Sequence, residues 1–402
     1  MKEKFLKYFK GDTTIWIVVF LLSIVSMLTV YSATGTLAYK KMGGNTFFYL
    51  MRHGSFLLFG IGIIFLFHKI NFRFLLRFTK PLIYLSAGLL IFTLLRGVNL
   101  NEANRWVSIM GVQFQTSDLA KIAVIMFIAS VLSQNQDHID DPKAAFWPIV
   151  KWAGIICLLI FGADFSTAAM LFFICCVLMY VGGIKFVLLA KLFGCLLAGF
   201  AFMLLLAYAV PQISRIGRVA TIKARIESFV GIGEHNDAEH DYQADHSKMA
   251  IVHGGITGQG PGNSTQRNFL PHPYSDFIYT IIVEEWGIAG GTFVLVLYLT
   301  LLYRIRVIVR RSRSAFGTFL CIGLGISLAI QALINMGVAV NIFPVTGQTL
   351  PLVSMGGTSV VFTSIAIGVI LNVSRYADGG DLAAEPATVD NQKNDINTTE
   401  NQ

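Results

Sequence analysis

Long apolar runs broken by short clusters of charge recur along the chain from residue 13 to residue 373. About 20 apolar residues in a helix are needed to cross the hydrocarbon of a bilayer. On that measure the pattern predicts about ten spans, near 13–32, 54–70, 81–97, 118–134, 147–163, 165–183, 186–210, 286–306, 315–339 and 352–373. Spans five and six are parted only by a turn holding Asp164 and Ser166. The expected fold class is therefore an all-α polytopic membrane protein with one large extracytoplasmic loop, 211–275, between helices 7 and 8.

The first part of that loop has its own period. Ile213, Ile216, Val219, Ile222, Ile226 and Phe229 recur every three or four residues, with Arg215, Arg218, Lys223 and Arg225 among them. This predicts a basic amphipathic helix on a membrane surface, which suits a lipid anchor and a ligand phosphate equally well. From Asp241 to Pro273 the chain is rich in Gly, Ser, Asn and His, and Gly254, Gly255, Gly258, Gly260 and Gly262 predict a loop with exposed backbone. The glycines lack a Lys-Ser/Thr ending, so this is no P-loop, and His235 and His240 lack HExxH spacing. Residues 1–12 mix Phe5, Leu6, Tyr8 and Phe9 with lysines, as an interfacial cytoplasmic segment does; 13–376 form the transmembrane domain; 377–402, polar and free of aromatics, are expected to be a disordered cytoplasmic tail.

Composition agrees with the pattern. Of 402 residues 54% are hydrophobic and 13% charged, with mean hydropathy +0.64. The net charge of +8 concerns orientation. Lys69, Arg73, Arg77 and Lys80, and then Arg304, Arg306, Arg310, Arg311 and Arg313, fall in loops that the positive-inside rule puts in the cytoplasm. Both termini are then cytoplasmic and 211–275 is outside. The lysine-rich start precedes a full-length span without a small-residue cleavage site, as a retained first helix does. A nucleic-acid ligand is excluded, because no soluble module carries a basic face. The five cysteines sit in apolar segments without zinc or redox spacing.

Polar groups within or beside the spans are the candidates for chemistry, because a charge there is expensive and usually functional. Asp276 stands where the long loop meets an apolar helix, with Glu284 and Glu285 about two turns further on. It is also a candidate N-cap for that helix, as is Ser275. Adjacent helical residues point about 100° apart, so one of the two glutamates is expected to face protein and the other water. Asp118 and Lys121 share a helical face; they either line a wet cavity or combine a first-turn charge with a snorkelling lysine. Asp164 suits a helix cap. Arg52, Arg105 and Trp106 lie near outer span ends, where guanidinium groups suit phosphate and Trp106 suits the interfacial belt. Pro344, Gly347, Pro351, Gly356 and Gly357 cannot lie in one regular helix, so 344–359 is expected to be re-entrant backbone buried in protein.

These strings together resemble the SEDS family (FtsW, RodA, SpoVE) over residues 13 to 375. The matching pieces are Tyr31-Ser32-Ala33, Asn104-Arg105-Trp106, Phe114-Gln115 with Ser117 to Lys121, and Asp164 followed by Thr167. Further on they are Tyr242-Gln243, Ser247, Gly254-Gly255, Leu270-Pro271, Asp276-Phe277-Ile278, Glu284-Glu285 with Gly287, and Pro344-Val345-Thr346-Gly347 through Gly356-Gly357. Where the family usually has a proline before the span-four carboxylate and before the Asp164 equivalent, this chain has Thr116 and Ala163. Its Ser354-Met355-Gly356-Gly357 lacks the family's usual tyrosine.

The resemblance implies a peptidoglycan glycosyltransferase of the bacterial inner membrane that polymerises lipid II, the undecaprenyl-pyrophosphate disaccharide-peptide. Overall similarity leans to the division-type branch, and so to septal cell-wall synthesis. It implies Asp276 as the essential outer carboxylate, here read as general base, and a class B penicillin-binding protein as partner beside other division proteins. Substrate-binding candidates are Arg52, Arg105, Trp106, Gln115, Asp118, Lys121, Asp164, Gln243, Ser247, Glu285 and Ser354. No cofactor is assigned; a divalent cation, Mg²⁺ or Mn²⁺, is one alternative to Arg52, Arg105 or Lys121 for neutralising the leaving pyrophosphate. The competing classes are a lipid II flippase, which the outer position of Asp276 disfavours, and a non-catalytic scaffold of the division machinery.

Overall fold

In the computed structural model the described residues are 10–100, 103–109, 112–209, 219, 223 and 238–377. Among them are twelve α-helices: α1 (Thr13–Ala33), α2 (Gly35–Met42), α3 (Thr46–Lys69), α4 (Phe72–Arg96), α5 (Thr116–Gln134), α6 (Phe146–Phe161), α7 (Phe165–Val181), α8 (Phe186–Ala209), α9 (Ala238–Gly254), α10 (Ile278–Arg311), α11 (Ala315–Ala339) and α12 (Gly357–Ala377). Eight are long and apolar enough to cross a membrane, and the apolar α6 and α7 are shorter, at 16 and 17 residues. These ten occupy the ten apolar runs of the sequence. The predicted tail beyond Ala377, the N-terminal segment up to residue 9 and nearly all of the predicted amphipathic helix lie outside the described residues.

Local chemistry starts the helices. Asp12, Asn45, Asn71, Asp164 and Ser314 each stand at an N-cap and accept a main-chain N–H of the first turn. Asp12 also takes Arg304 of α10, with Nε 2.8 Å and Nη2 2.6 Å from Oδ2. Between α3 and α4 the chain turns on Asn372 of α12. Its Oδ1 accepts from the N–H of Phe72 at 3.0 Å, and its Nδ2 donates to the carbonyls of His68 at 2.7 Å and Ile70 at 2.5 Å.

Helices α5, α11 and α12 are the most enclosed of the long helices, so the core of the bundle runs between them. Helix α8 is exposed along almost its whole length and, apart from Lys191 near its start, apolar all round, the surface expected of a helix facing lipid.

Two elements depart from the sequence reading. A three-stranded antiparallel sheet, β1 (Val98–Leu100), β2 (Ala103–Ile109) and β3 (Val112–Gln115), lies between α4 and α5 and pairs Trp106 with Gln115. The stretch after Asp241, expected as a loop, instead begins as α9. That helix buries Gln243, Ser247, Ala250 and Gly254, a spacing of four, three and four that lies on one face. A Cβ on Gly254 would come 2.1 Å from the carbonyl oxygen of Val283, so glycine lets α9 seat directly on α10.

The glycine-rich segment after α9 repairs a break in α10. Gly287, at φ 69°, interrupts the helix and frees main-chain groups on both sides. The N–H of Gln259 and Gly260 donate to the carbonyls of Glu284 (3.0 Å) and Glu285 (2.9 Å), and the N–H of Ile288 donates to Gly255 (2.9 Å). Gly258, at φ 82°, passes so close that a Cβ would meet the Glu285 carbonyl at 2.2 Å. Backbone approaching backbone, not a ligand phosphate, accounts for this glycine spacing.

Candidate active site

Asp276 ends a tight turn immediately before α10. It is half-buried, and the Ser275 hydroxyl donates to its Oδ1 at 2.8 Å. The N-cap of α10 is Phe277 and carries no side-chain capping bond, so neither Ser275 nor Asp276 caps the helix. The turn is held instead through three consecutive carbonyls. Tyr274 O accepts from the N–H of Met355 at 2.9 Å, Ser275 O from Ser354 Oγ at 2.6 Å, and Asp276 O from Asn335 Nδ2 at 2.8 Å. His272 enters the turn at φ 52°, and its Nδ1 lies 3.1 Å from the Tyr274 hydroxyl. Burial, and after it the charge of Asp276 and nearby Tyr49, pushes the Tyr274 phenol above its usual range.

Two of the three clamps come from the segment between α11 and α12. This stretch is irregular, as its prolines and glycines predict, with Leu352 at φ 63° and Leu350, Leu352, Val353 and Ser354 buried. Polar side chains replace the missing helical bonds. Asn335 Nδ2 donates to Gln348 O at 2.7 Å, Gln331 Nε2 to Thr349 O at 2.9 Å, and Gln348 Nε2 to Thr167 Oγ1 at 2.7 Å.

Asp118 and Lys121 form a buried ion pair of 2.8 Å, each less than a tenth exposed, and Lys121 Nζ also donates to Gln331 Oε1 at 3.0 Å. Both line a narrow cleft with Ser327, Gln331, Ser359 and Thr363. The pair thus faces the bundle, and the snorkelling alternative does not apply. Asp164 caps α7 through a 3.2 Å bond from Thr167 N and lines a second, small cavity with Thr93, Thr116 and Ser117. Asp276 lines neither cavity.

The remaining candidates scatter. Gln115 and Trp106 are half-buried on the sheet, with Gln115 Nε2 donating to Ser117 Oγ at 3.1 Å. Arg52 is exposed on α3, one turn from Tyr49, whereas the side chain of Arg105 lies outside what is described. Ser247 is wholly buried, bonded to Thr280 Oγ1 at 2.8 Å and Ala339 O at 2.8 Å, and Gln243 lies one turn before it.

Glu284 and Glu285 correct an expectation: at 0% and 2% exposed, neither faces water. Glu284 accepts from the Ser264 hydroxyl, from Thr265 N (3.0 Å) and Oγ1 (2.9 Å), and from Gln266 N (3.2 Å). Glu285 accepts from the Ser32 hydroxyl, whose oxygen in turn takes Arg267 Nη1 at 2.9 Å. The segment 254–268, folded over both carboxylates, is what excludes solvent.

Gln331 and Asn335 were not singled out from the sequence. The signal was present: two amides four residues apart in a predominantly apolar 25-residue helix. Among the described residues no group of three His, Cys, Asp or Glu side chains could by itself hold a metal ion.

Comparison with known proteins places this geometry in context. The family model described as "Cell cycle protein", covering FtsW, RodA and SpoVE, matches residues 12–379. Stage V sporulation protein E of Bacillus subtilis is 34% identical over 375 residues, spanning 91% of this chain and 97% of that protein. A probable peptidoglycan glycosyltransferase FtsW of Nitrosococcus halophilus is 32% identical over 353 residues, 86% and 87% of the two chains. Among solved structures, a chain of a peptidoglycan synthase complex that coordinates polymerization and crosslinking superposes with a TM-score of 0.67 at 26% identity, over 92% of this chain and 99% of that one. The rod shape determining protein RodA of Thermus thermophilus shares the fold, with a TM-score of 0.63 at 23% identity, over 91% and 97%.

Proposed function

Because the chain belongs to the FtsW/RodA/SpoVE family of cell cycle proteins, we propose that it is a peptidoglycan glycosyltransferase of the bacterial inner membrane that polymerises lipid II into glycan strands. The acceptor sugar's 4-hydroxyl attacks the donor's anomeric carbon, and undecaprenyl pyrophosphate leaves. A sugar hydroxyl is a poor nucleophile near neutral pH, so a positioned carboxylate must take its proton as the new bond forms. Asp276 is that base. Lys121 and the exposed Arg52 supply positive charge to the departing pyrophosphate, which leaves as an anion and needs no general acid.

The observation that carries this reading is the three-point clamp on the carbonyls of Tyr274, Ser275 and Asp276. It spends Ser354, Met355 and Asn335 on holding one half-buried carboxylate in a fixed turn, the preorganisation a general base requires. The resemblance of the chain to relatives of both the division and the sporulation type supports wall synthesis, and we assign this one to the septum, with a class B penicillin-binding protein as partner. The charge pattern of the loops supports cytoplasmic termini, with Asp276 on the outer side.

The test is a gel assay with purified full-length protein, a class B penicillin-binding protein and lipid II. Wild type is expected to make polymer and Asp276→Asn none, while the variant still inserts and still binds the partner. Normal strands from Asp276→Asn would overturn the base assignment. Transfer of lipid II between leaflets without polymer would instead identify a flippase.

A further inference from the structure

Gln331 and Asn335 lie one turn apart on α11, on the same face. Each makes contacts in two directions. Gln331 accepts from Lys121 at the cleft and donates to Thr349 O; Asn335 uses one nitrogen to donate both to Gln348 O and to Asp276 O. An unbroken line of bonds thus runs from the Asp118–Lys121 pair, through two amides and the 348–349 backbone, to the main chain of Asp276. Thr349 Oγ1, 3.0 Å from Ser359 Oγ on the cleft wall, ties the same backbone to α12.

Asn335 shows why this arrangement is more than packing. The residue is 1% exposed and its Oδ1 has no hydrogen-bond partner among the described residues. A buried acceptor without a partner is unfavourable, and an apolar residue of the same shape would avoid it. What the amide supplies, and a leucine would not, is one donated hydrogen bond to Asp276 O and one to Gln348 O, which fix the Asp276 turn and the 344–356 segment relative to α11.

We propose that Gln331 and Asn335 form a positioning strut that sets the placement of Asp276 relative to the Lys121 cleft. This inference rests on Asp276 as the reacting carboxylate for its catalytic consequence, though not for its structural one. With the strut intact, the base and the cationic cleft keep one fixed separation. With it broken, both remain present but lose their register. Misplacement on the order of 1 Å lowers turnover by roughly 100-fold without removing a substrate contact.

The experiment compares wild type, Asn335→Leu, Gln331→Met and Asp276→Asn as full-length proteins with the partner, by lipid II polymerisation and by hydrogen–deuterium exchange of peptides covering 272–277 and 344–356. Asn335→Leu keeps the residue's size and removes its donors; Gln331→Met does the same one turn earlier, which covers the case in which one variant fails to fold. Expected are a fall in kcat of roughly 10- to 100-fold with KM within about twofold, and faster exchange in both peptides. A loss of packing alone would speed exchange throughout α11 and raise KM together with the fall in kcat. Wild-type turnover in both variants, or unchanged exchange at 272–277, overturns the strut. Normal polymerisation by Asp276→Asn would remove the base assignment and leave the exchange measurement to decide the strut by itself.

Discussion

The Ser354 hydroxyl donates to the main-chain carbonyl of Ser275 over 2.6 Å while accepting from the N–H of Leu350 at 2.7 Å. One small side chain thus closes the turn at 350–354 and grips the turn that presents Asp276. The sequence offers Ser354 as a substrate-binding candidate, and in the fold its hydroxyl is engaged within the protein both as donor and as acceptor.

Ser354→Ala leaves the buried Leu350 N–H and the half-buried Ser275 carbonyl without their bond. A loss of about 1.4 kcal/mol in the placement of Asp276 lowers the rate about tenfold. The expected outcome is a drop of that size in polymerisation rate with lipid II binding retained, whereas Ser354→Thr, which keeps the hydroxyl, stays near wild type. Steady-state kinetics over a range of lipid II concentrations checks this.

The Asp118–Lys121 pair gives a prediction of opposite form. Removing one partner leaves the other charged and buried, at about 3–5 kcal/mol. Removing both takes that penalty away. The double variant Asp118→Ala/Lys121→Ala is therefore expected to melt above either single variant in detergent. In activity, Lys121→Ala lowers the rate and the added Asp118→Ala changes it little further, because the two act as one unit. Additive losses in either measurement would show two independent residues.

Glu284 holds the segment over α10 by charge-assisted bonds to Ser264, Thr265 and Gln266. Bonds to a charged group contribute about 1.5–3 kcal/mol each. Glu284→Gln presents an amide nitrogen where a carboxylate oxygen received donors, so a destabilisation of about 3 kcal/mol or more is expected. It should appear as proteolytic cleavage within 258–268 and a lower melting temperature. Turnover per folded molecule should fall far less than in Asp276→Asn.

How much of this was legible beforehand follows from what hydropathy reports. Apolar runs of membrane length located the ten long or apolar helices, and Pro344, Gly347, Pro351 and Gly356 marked the irregular segment. Two kinds of feature escaped. The strands at 98–115 are three to seven residues long, too short for period-two alternation to stand out beside the spans. The partners of Glu284, Glu285 and Asp276 are distant in sequence, or are main-chain groups that no side-chain pattern announces. Ser32 is 253 positions from Glu285, and Asn335 is 59 from Asp276. The carboxylates could be chosen from sequence; which of them is clamped and which is solvent-shielded required the fold.

Tyr274 bears on the pH dependence. Burial and the adjacent Asp276 both disfavour the phenolate, so its folded pKa lies above the ordinary value of about 10. A raised value means that the stabilising neutral form is fully present below the unfolded pKa and lost as pH rises through the folded one. Tyr274 therefore stays neutral at physiological pH. Tyr274→Phe is expected to leave the shape of the pH–rate profile below about pH 9 unchanged. A shifted basic limb in that variant would show that the phenol exchanges protons during turnover.

At the far end of the bundle, Asp12 combines two tasks that substitution can separate. Its Oδ1 caps α1 through Thr14 N at 2.9 Å and Ile15 N at 3.3 Å, while its Oδ2 takes the guanidinium of Arg304. Asp12→Asn can keep the cap, because asparagine caps as well as aspartate, yet it sets an uncharged group against Arg304. Asp12→Ala loses both. Losing a typical cap removes about 1 kcal/mol, so Asp12→Ala is expected to melt below Asp12→Asn, and Asp12→Asn below wild type. Arg304→Lys should resemble Asp12→Asn, since an ammonium cannot reproduce the two-nitrogen contact. Equal melting temperatures for Asp12→Asn and Asp12→Ala would mean that α1 begins without help from its cap and that the ion pair alone fastens its start to α10.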